Sequence, residues 1–146
     1  MQSYPFTLPS PVTRIEVMGP HMAKHHLSNG QVIHHFTQAD TGDPHDHPFP
    51  FDSTILIGGY EEEEYLLHLD GSFDIACLRR LPGASHSVKA DTVHRITRLL
   101  EGECWTLITP GRKVKEPGFF RFKRGRIYRR DWNGRWRRLL PAKQHA

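Results

Sequence analysis

Long apolar runs are missing from this chain, and cysteines are scarce. No stretch approaches the roughly 18 consecutive apolar residues that a membrane-spanning helix needs. The opening Met1-Gln2-Ser3-Tyr4-Pro5 lacks the basic-then-apolar order of a secretory signal. A cytoplasmic location without membrane contact is the expectation that follows. The two cysteines, Cys77 and Cys104, each lie inside an apolar run, which suits buried free thiols and argues against a disulfide framework. Helix signals are equally sparse: the one candidate is a short segment at Pro20–Leu27, closed by Ser28-Asn29-Gly30. No repeat of 20–50 residues recurs, which disfavours propellers and solenoids.

What is present is enough for one compact unit. At 146 residues, with 37% hydrophobic and 25% charged residues, the chain has the apolar material to fold and reads as a single domain over 1–146. Twelve Gly and 11 Pro punctuate short runs rich in Val, Ile, Phe, Tyr and Thr, the spacing of an antiparallel all-β domain. Strands are predicted at Val12–Met18, Gln31–Phe36, Ser53–Ile57, Glu63–His68, Ser72–Leu78, Ser85–Lys89, Thr92–Thr97, Cys104–Thr109 and Gly118–Lys123, followed by an Ile127–Leu139 hairpin. Asp70-Gly71 and Asn133-Gly134 supply the positive φ of tight hairpin turns. A closed barrel or jelly roll is how so many short strands avoid open edges.

Charge is unevenly spread. Residues 1–110 carry 7 basic and 14 acidic groups, whereas residues 111–146 carry 13 basic and 2 acidic ones. The predicted C-terminal strands therefore form a basic addition to an acidic body. A two-residue Asn133-Gly134 turn would set Trp132 opposite Arg135, Asp131 opposite Trp136 and Arg130 opposite Arg137. Arg130, Trp132, Arg135 and Arg137 would then share a face. Guanidinium groups beside an aromatic platform suit a nucleic-acid partner. A ribbon that packs its tryptophans on the barrel and lays its arginines on the acidic body, in the same chain or a second copy, accounts for the same residues. The run Glu61-Glu62-Glu63-Glu64 reads as a solvated edge or loop, since alternate carboxylates in a strand face opposite ways and cannot all serve one ion.

Among 11 histidines one cluster stands apart. In Pro44-His45-Asp46-His47-Pro48 the two imidazoles stand at i and i+2, so in extended backbone they project from one face towards one ion. Neutral imidazole is a ligand for Zn, Fe, Cu and Ni. After four further residues comes Asp52, and after six more Gly59. Later, Gly83 is followed after five residues by Lys89-Ala90-Asp91 and after two more by His94. These spacings resemble the two motifs of the cupin superfamily, in order, over about residues 44–97, and the stretch resembles small single-domain cupins of unassigned function. The family's motif-one Glu is Asp52 here. Its motif-two Pro and Gly are Lys89 and Asp91, and its terminal Asn is replaced by Thr97 or a neighbour.

The resemblance implies an all-β cupin-type double-stranded β-helix, that is a jelly-roll barrel, with the basic hairpin added, and a homodimer. It implies a divalent metal, Fe first with Mn, Ni or Zn as alternatives, held by His45, His47 and His94, with Asp52 as a further candidate. It implies a dioxygenase-like or isomerase reaction on a small polar molecule inside the barrel. The alternative is a non-catalytic binding or regulatory cupin that uses the basic hairpin to contact nucleic acid or an acidic partner. The H-x-D…H pattern of 2-oxoglutarate oxygenases is absent, because Asp46 directly follows His45 and position 47 is His. Phe49, Phe51, Tyr60, Tyr65 and Trp105 are candidates for the barrel wall. His35 and His86 are candidates for its mouth, and Arg95 is placed outside if His94 points in.

Overall fold

The computed structural model describes residues 3–40 and 42–140, and every regular element among them is a strand. The strands are β1 (Val12–Val17), β2 (Met22–Leu27), β3 (Val32–Phe36), β4 (Phe51–Ile57), β5 (Tyr60–Leu67) and β6 (Phe73–Arg80). They continue with β7 (Ser85–Val88), β8 (Val93–Leu99), β9 (Cys104–Pro110), β10 (Gly118–Lys123), β11 (Arg126–Asp131) and β12 (Arg137–Arg138). One sheet has the order β1-β2-β3-β9-β4-β7, a second β6-β5-β8 and a third β10-β11-β12. His45 links the last two, its backbone bridging His94 on one side and Phe119 on the other.

If the His45 segment is counted as a strand, eight strands run from β3 to β9. One sheet then reads first-eighth-third-sixth and the other second-seventh-fourth-fifth. This interlocked order is that of a jelly roll built from two Greek keys, so the fold is an all-β jelly roll. β1 and β2 extend one sheet; β10 to β12 extend the other.

Alternating side chains divide each sheet into two faces. Between the sheets lie Phe36, Ile55, Tyr60, Ile96 and Cys104. On the outer face of the larger sheet Leu27, Ile33 and Trp105 are covered by Tyr4, Phe6 and Leu8 from the N-terminal segment. On the outer face of the other sheet Tyr65 and Val93 are covered by Phe120 and Ile127, with Phe122 stacked on Tyr65 at 4.4 Å between centroids. Each fully buried Ile or Phe of this kind stabilises the fold by about 1.5–3 kcal/mol. The chain crosses from one sheet to the other at Gly58-Gly59, where φ is 90° and 87°. A Cβ at Gly58 would meet the Glu103 carbonyl oxygen at 2.0 Å, so this corner admits no side chain.

Several sequence expectations change. Pro20–Leu27 is not a helix: Met22–Leu27 is strand β2, paired on both sides with β1 and β3. Its Met, Ala and Leu favour helix locally, but pairing and the burial of His25 and Leu27 prevail. Glu61–Glu64 is no solvated edge, because β5 is the central strand of its sheet. Cys77 is exposed on the edge strand β6, and only Cys104 is buried.

The basic ribbon pairs one residue out of the expected register. Arg129, not Arg130, stands opposite Arg137. The turn is longer than the Asn133-Gly134 dipeptide, closing with Gly134 N–H on the Asp131 carbonyl at 2.8 Å. One face therefore carries Phe119, Arg121, Tyr128, Arg130 and Trp136, with the Arg121 and Arg130 guanidiniums 4.2 Å and 5.3 Å from the Trp136 ring. Trp132, expected to pack on the barrel, is 54% exposed, and Trp136 lies under the Arg121 and Arg130 guanidiniums, while Phe120 and Phe122 from β10 pack on Tyr65 and Val93.

Candidate metal centre

Three imidazoles converge between the sheets. His45 and His47 come from the segment before β4, and His94 from β8. One ring nitrogen from each of the three lies within 4.8 Å of the others. The tightest approach is between His47 Nε2 and His94 Nε2, 3.0 Å apart.

The backbone that presents them is tied on both sides. His45 and His94 exchange N–H···O bonds of 2.9 and 3.0 Å, and His47 N–H donates to the Ala90 carbonyl at 2.9 Å. Between the two histidines Asp46 points the other way and is 4% exposed. Its carboxylate accepts from Gly118 N–H at 2.7 Å, from the Lys115 ammonium, and from Arg129 at 3.4 Å. A Cβ at Gly118 would lie 2.5 Å from the Arg129 guanidinium, so glycine there keeps this anchor open.

The outer nitrogens of two rings face carboxylates. His94 Nδ1 is 3.3 Å from Glu62 Oε2, and His45 Nδ1 is 3.7 Å from Asp40 Oδ2. Glu62 is 2% exposed, and Arg80 Nη2 reaches both Glu62 and Glu64 at 3.2 Å. Burial opposes charge on Glu62, but His94, Glu64 and Arg80 together hold its carboxyl below the ordinary range. Burial pushes Glu64 the other way, upward, with Glu62 adding to the rise. Burial, reinforced by the neighbouring imidazoles, pushes His45 down to about 3 and His47 down to about 2. Both rings are neutral at pH 7 and present lone pairs.

The donor set fits a divalent ion. Two nitrogens bound at right angles with bonds of about 2.1 Å stand roughly 3 Å apart, which is the His47–His94 separation. That spacing also accommodates an N–H···N bond between two rings, but the third nitrogen of His45 and the carboxylate behind His94 go beyond what such a pair needs.

Asp52 is not part of the group. It is exposed on the outer face of β4 and accepts from Ser87 Oγ at 2.6 Å. Its neighbour Ser53, 2% exposed, takes the inward position, and alternation sends Asp52 out. Of the wall candidates, Tyr60 lies between the sheets and Phe51 sits 5.0 Å from the His47 ring, with Phe49 6.4 Å beyond it. Tyr65 and Trp105 belong instead to the two outer clusters. His35 is also outside, stacked on Trp105 at 3.6 Å and bonded to Glu103. Arg95 pairs outward with Glu63. Sequence reasoning missed Glu62, Asp46 and Asp40. For Glu62 the signal was its parity with His94 once β5 and β8 are paired, Glu64 opposite His94 and Glu62 opposite Ile96.

No family profile matches the chain, and no similar curated protein was found. Among solved structures it is similar to a cupin-superfamily sugar phosphate isomerase from Silicibacter pomeroyi, with 11% identity and a TM-score of 0.48 over 91% of this chain and 92% of that one. It is also similar to the polyketide cyclase RemF from Streptomyces resistomycificus, with 12% identity and a TM-score of 0.44 over 68% of this chain and 75% of that one.

Proposed function

We propose that this protein is a metal-dependent enzyme of cupin type. His45, His47 and His94 would hold a divalent ion, Fe(II) first and Mn, Ni or Zn on the same donor set, and the substrate would be a small polar molecule between the sheets. The observation that carries this reading is the convergence of three ring nitrogens within 4.8 Å, two of them 3.0 Å apart. When bound, such an ion supplies Lewis-acid or redox chemistry at positions that three protein ligands leave open. The chain's own part is to keep the imidazoles neutral by burial, to hold the proton of His94 on Nδ1 with Glu62, and to shield one side with the Phe51 ring. Anaerobic reconstitution with Fe(II), followed by oxygen-electrode screening of small polar compounds, tests the oxygenase form. Uptake that requires both Fe(II) and the compound, and is lost in His94→Ala, supports it. Stoichiometric metal with no metal-dependent turnover for any of the four ions contradicts it.

A second reading, a binding module working through the C-terminal ribbon, draws on a different observation. Lys123, Arg124, Arg126, Arg135, Arg137 and Arg138 are exposed and have no carboxylate partner among the described residues. A polyanion bound there would dissociate steeply as salt rises. Binding of a labelled DNA duplex that is insensitive to salt, or absent, contradicts this second reading.

A further inference from the structure

We propose that the molecule taken between the sheets carries an acid group, and that Lys24 on β2 and His34 on β3 hold it. This deepens, and rests on, the reading of the histidine triad as the reactive centre.

The placement follows from register. Lys24 pairs with His34, His34 with Thr106, and Thr106 with Ile55, across four adjacent strands. Cross-strand partners share a face. Ile55 is fully buried in the cluster between the sheets, and Met22, two residues before Lys24, packs against the same cluster. The row Lys24, His34, Thr106 therefore lines the inner face of the larger sheet, opposite His94 and Glu62.

Among the described residues the side chains of this row make no hydrogen bond or ion pair. Lys24 is only partly exposed, yet among the described residues its ammonium has neither an ion pair nor a hydrogen bond. His34 likewise has no side-chain hydrogen bond among the described residues. Burial, with Lys24 and His26 adding to it, pushes its pKa down to about 3, so at neutral pH it is an uncharged ring with one N–H to donate. Thr106 is 1% exposed, and its Oγ1 is buried without a partner. On the far side of the same face His86 Nδ1 is buried and unpartnered as well. Buried polar groups are overwhelmingly hydrogen-bonded in folded proteins. A buried hydroxyl without a partner, in one row with a half-exposed cation and ring N–H that make no bond among the described residues, fits a guest that brings oxygen acceptors and negative charge.

The carboxylates of this interior are already committed. Arg80 takes Glu62 and Glu64, and His26 takes Glu16 at the edge. Asp40 lies beside His45. Lys24 stands opposite Glu16 on β1 without an ion pair to it, and among the described residues it is the ammonium of the inner face that no carboxylate holds. This row and the triad lie on facing inner surfaces of the two sheets, so an acid group held by Lys24 and His34 leaves the rest of the guest in the space the triad faces. A carboxylate and a phosphate offer the same oxygens.

The test uses the full chain, metal-stripped and Zn-loaded in parallel, in calorimetric titrations with succinate, inorganic phosphate and uncharged succinamide. The expected result is binding of succinate or phosphate in both metal states, with succinamide weaker by at least about tenfold. Lys24→Met should weaken the anion by a similar factor, while Lys24→Arg retains it within about threefold. The better of the two anions identifies the acid group. An unchanged anion affinity in a folded Lys24→Met protein overturns the proposal. So does equal binding of succinate and succinamide, or anion binding only in the Zn-loaded arm. Failure of the metal reading looks different: the chain holds no ion, while Lys24-dependent anion binding persists in the metal-stripped arm.

Discussion

Glu62 Oε2 stands 3.3 Å behind His94 Nδ1, on the opposite side of the ring from His47. The carboxylate fixes which nitrogen of His94 carries the proton and turns the lone pair of Nε2 towards the other two imidazoles. Glu62→Gln keeps the shape and removes the charge, so it should weaken metal affinity by roughly 10–100-fold. Competition against a chromophoric chelator measures this. Affinity equal to the parent's would show that Glu62 does not position the ring.

Asp46 works on the same centre from the backbone side. Its buried carboxylate gathers Gly118 N–H, Lys115 and Arg129, and joins the segment bearing His45 and His47 to β10 and β11. Asp46→Ala leaves these donors unpaired and should cost about 3 kcal/mol, lowering Tm by on the order of 10 °C in a chain of this size. Asp52→Ala removes an exposed acceptor whose one recorded partner is Ser87 and should shift Tm far less. Thermal melts that rank the two the other way would refute the anchoring role.

The interior histidines make stability depend on pH. His34 has a folded pKa of about 3 against an ordinary 6.5, lowered first by burial. Between those values the unfolded chain binds a proton that the folded chain does not, so stability is full above about pH 6.5 and falls as pH drops towards 3. Tm should decline from pH 7 to pH 5, and His34→Gln should flatten the decline. A parallel slope in the variant would mean that His34 is not shielded from protonation.

The thiols should report the packing of one strand from each sheet, β6 for Cys77 and β9 for Cys104. Cys77 lies exposed on β6, whereas Cys104 is buried and burial pushes its thiol up to about 11. Iodoacetamide at pH 8 should modify Cys77 in the native protein and reach Cys104 only on unfolding. Rapid native labelling of Cys104 would contradict its placement.

The fold and half of the centre were legible because they depend on local pattern. Short β-prone runs between glycines and prolines placed strands β3 to β10 to within about three residues, and the i, i+2 histidines with His94 downstream marked the triad. What failed depended on register. Asp52 has the right distance along the chain, but one step of alternation puts it on the outside of β4. Glu62 looked like one of four solvated carboxylates until β5 took the middle of its sheet and turned that residue inward. In the basic ribbon a turn longer than Asn133-Gly134 moved every cross-strand pair by one residue.

The most direct test is elemental analysis by mass spectrometry of the purified full-length protein, with Asp52→Ala and His94→Ala prepared in parallel. Metal bound by the triad predicts about one equivalent of Fe, Mn, Ni or Zn in the parent and in Asp52→Ala, and little in His94→Ala. Equal metal in all three proteins, or none in the parent even after anaerobic Fe(II) is supplied, would contradict it.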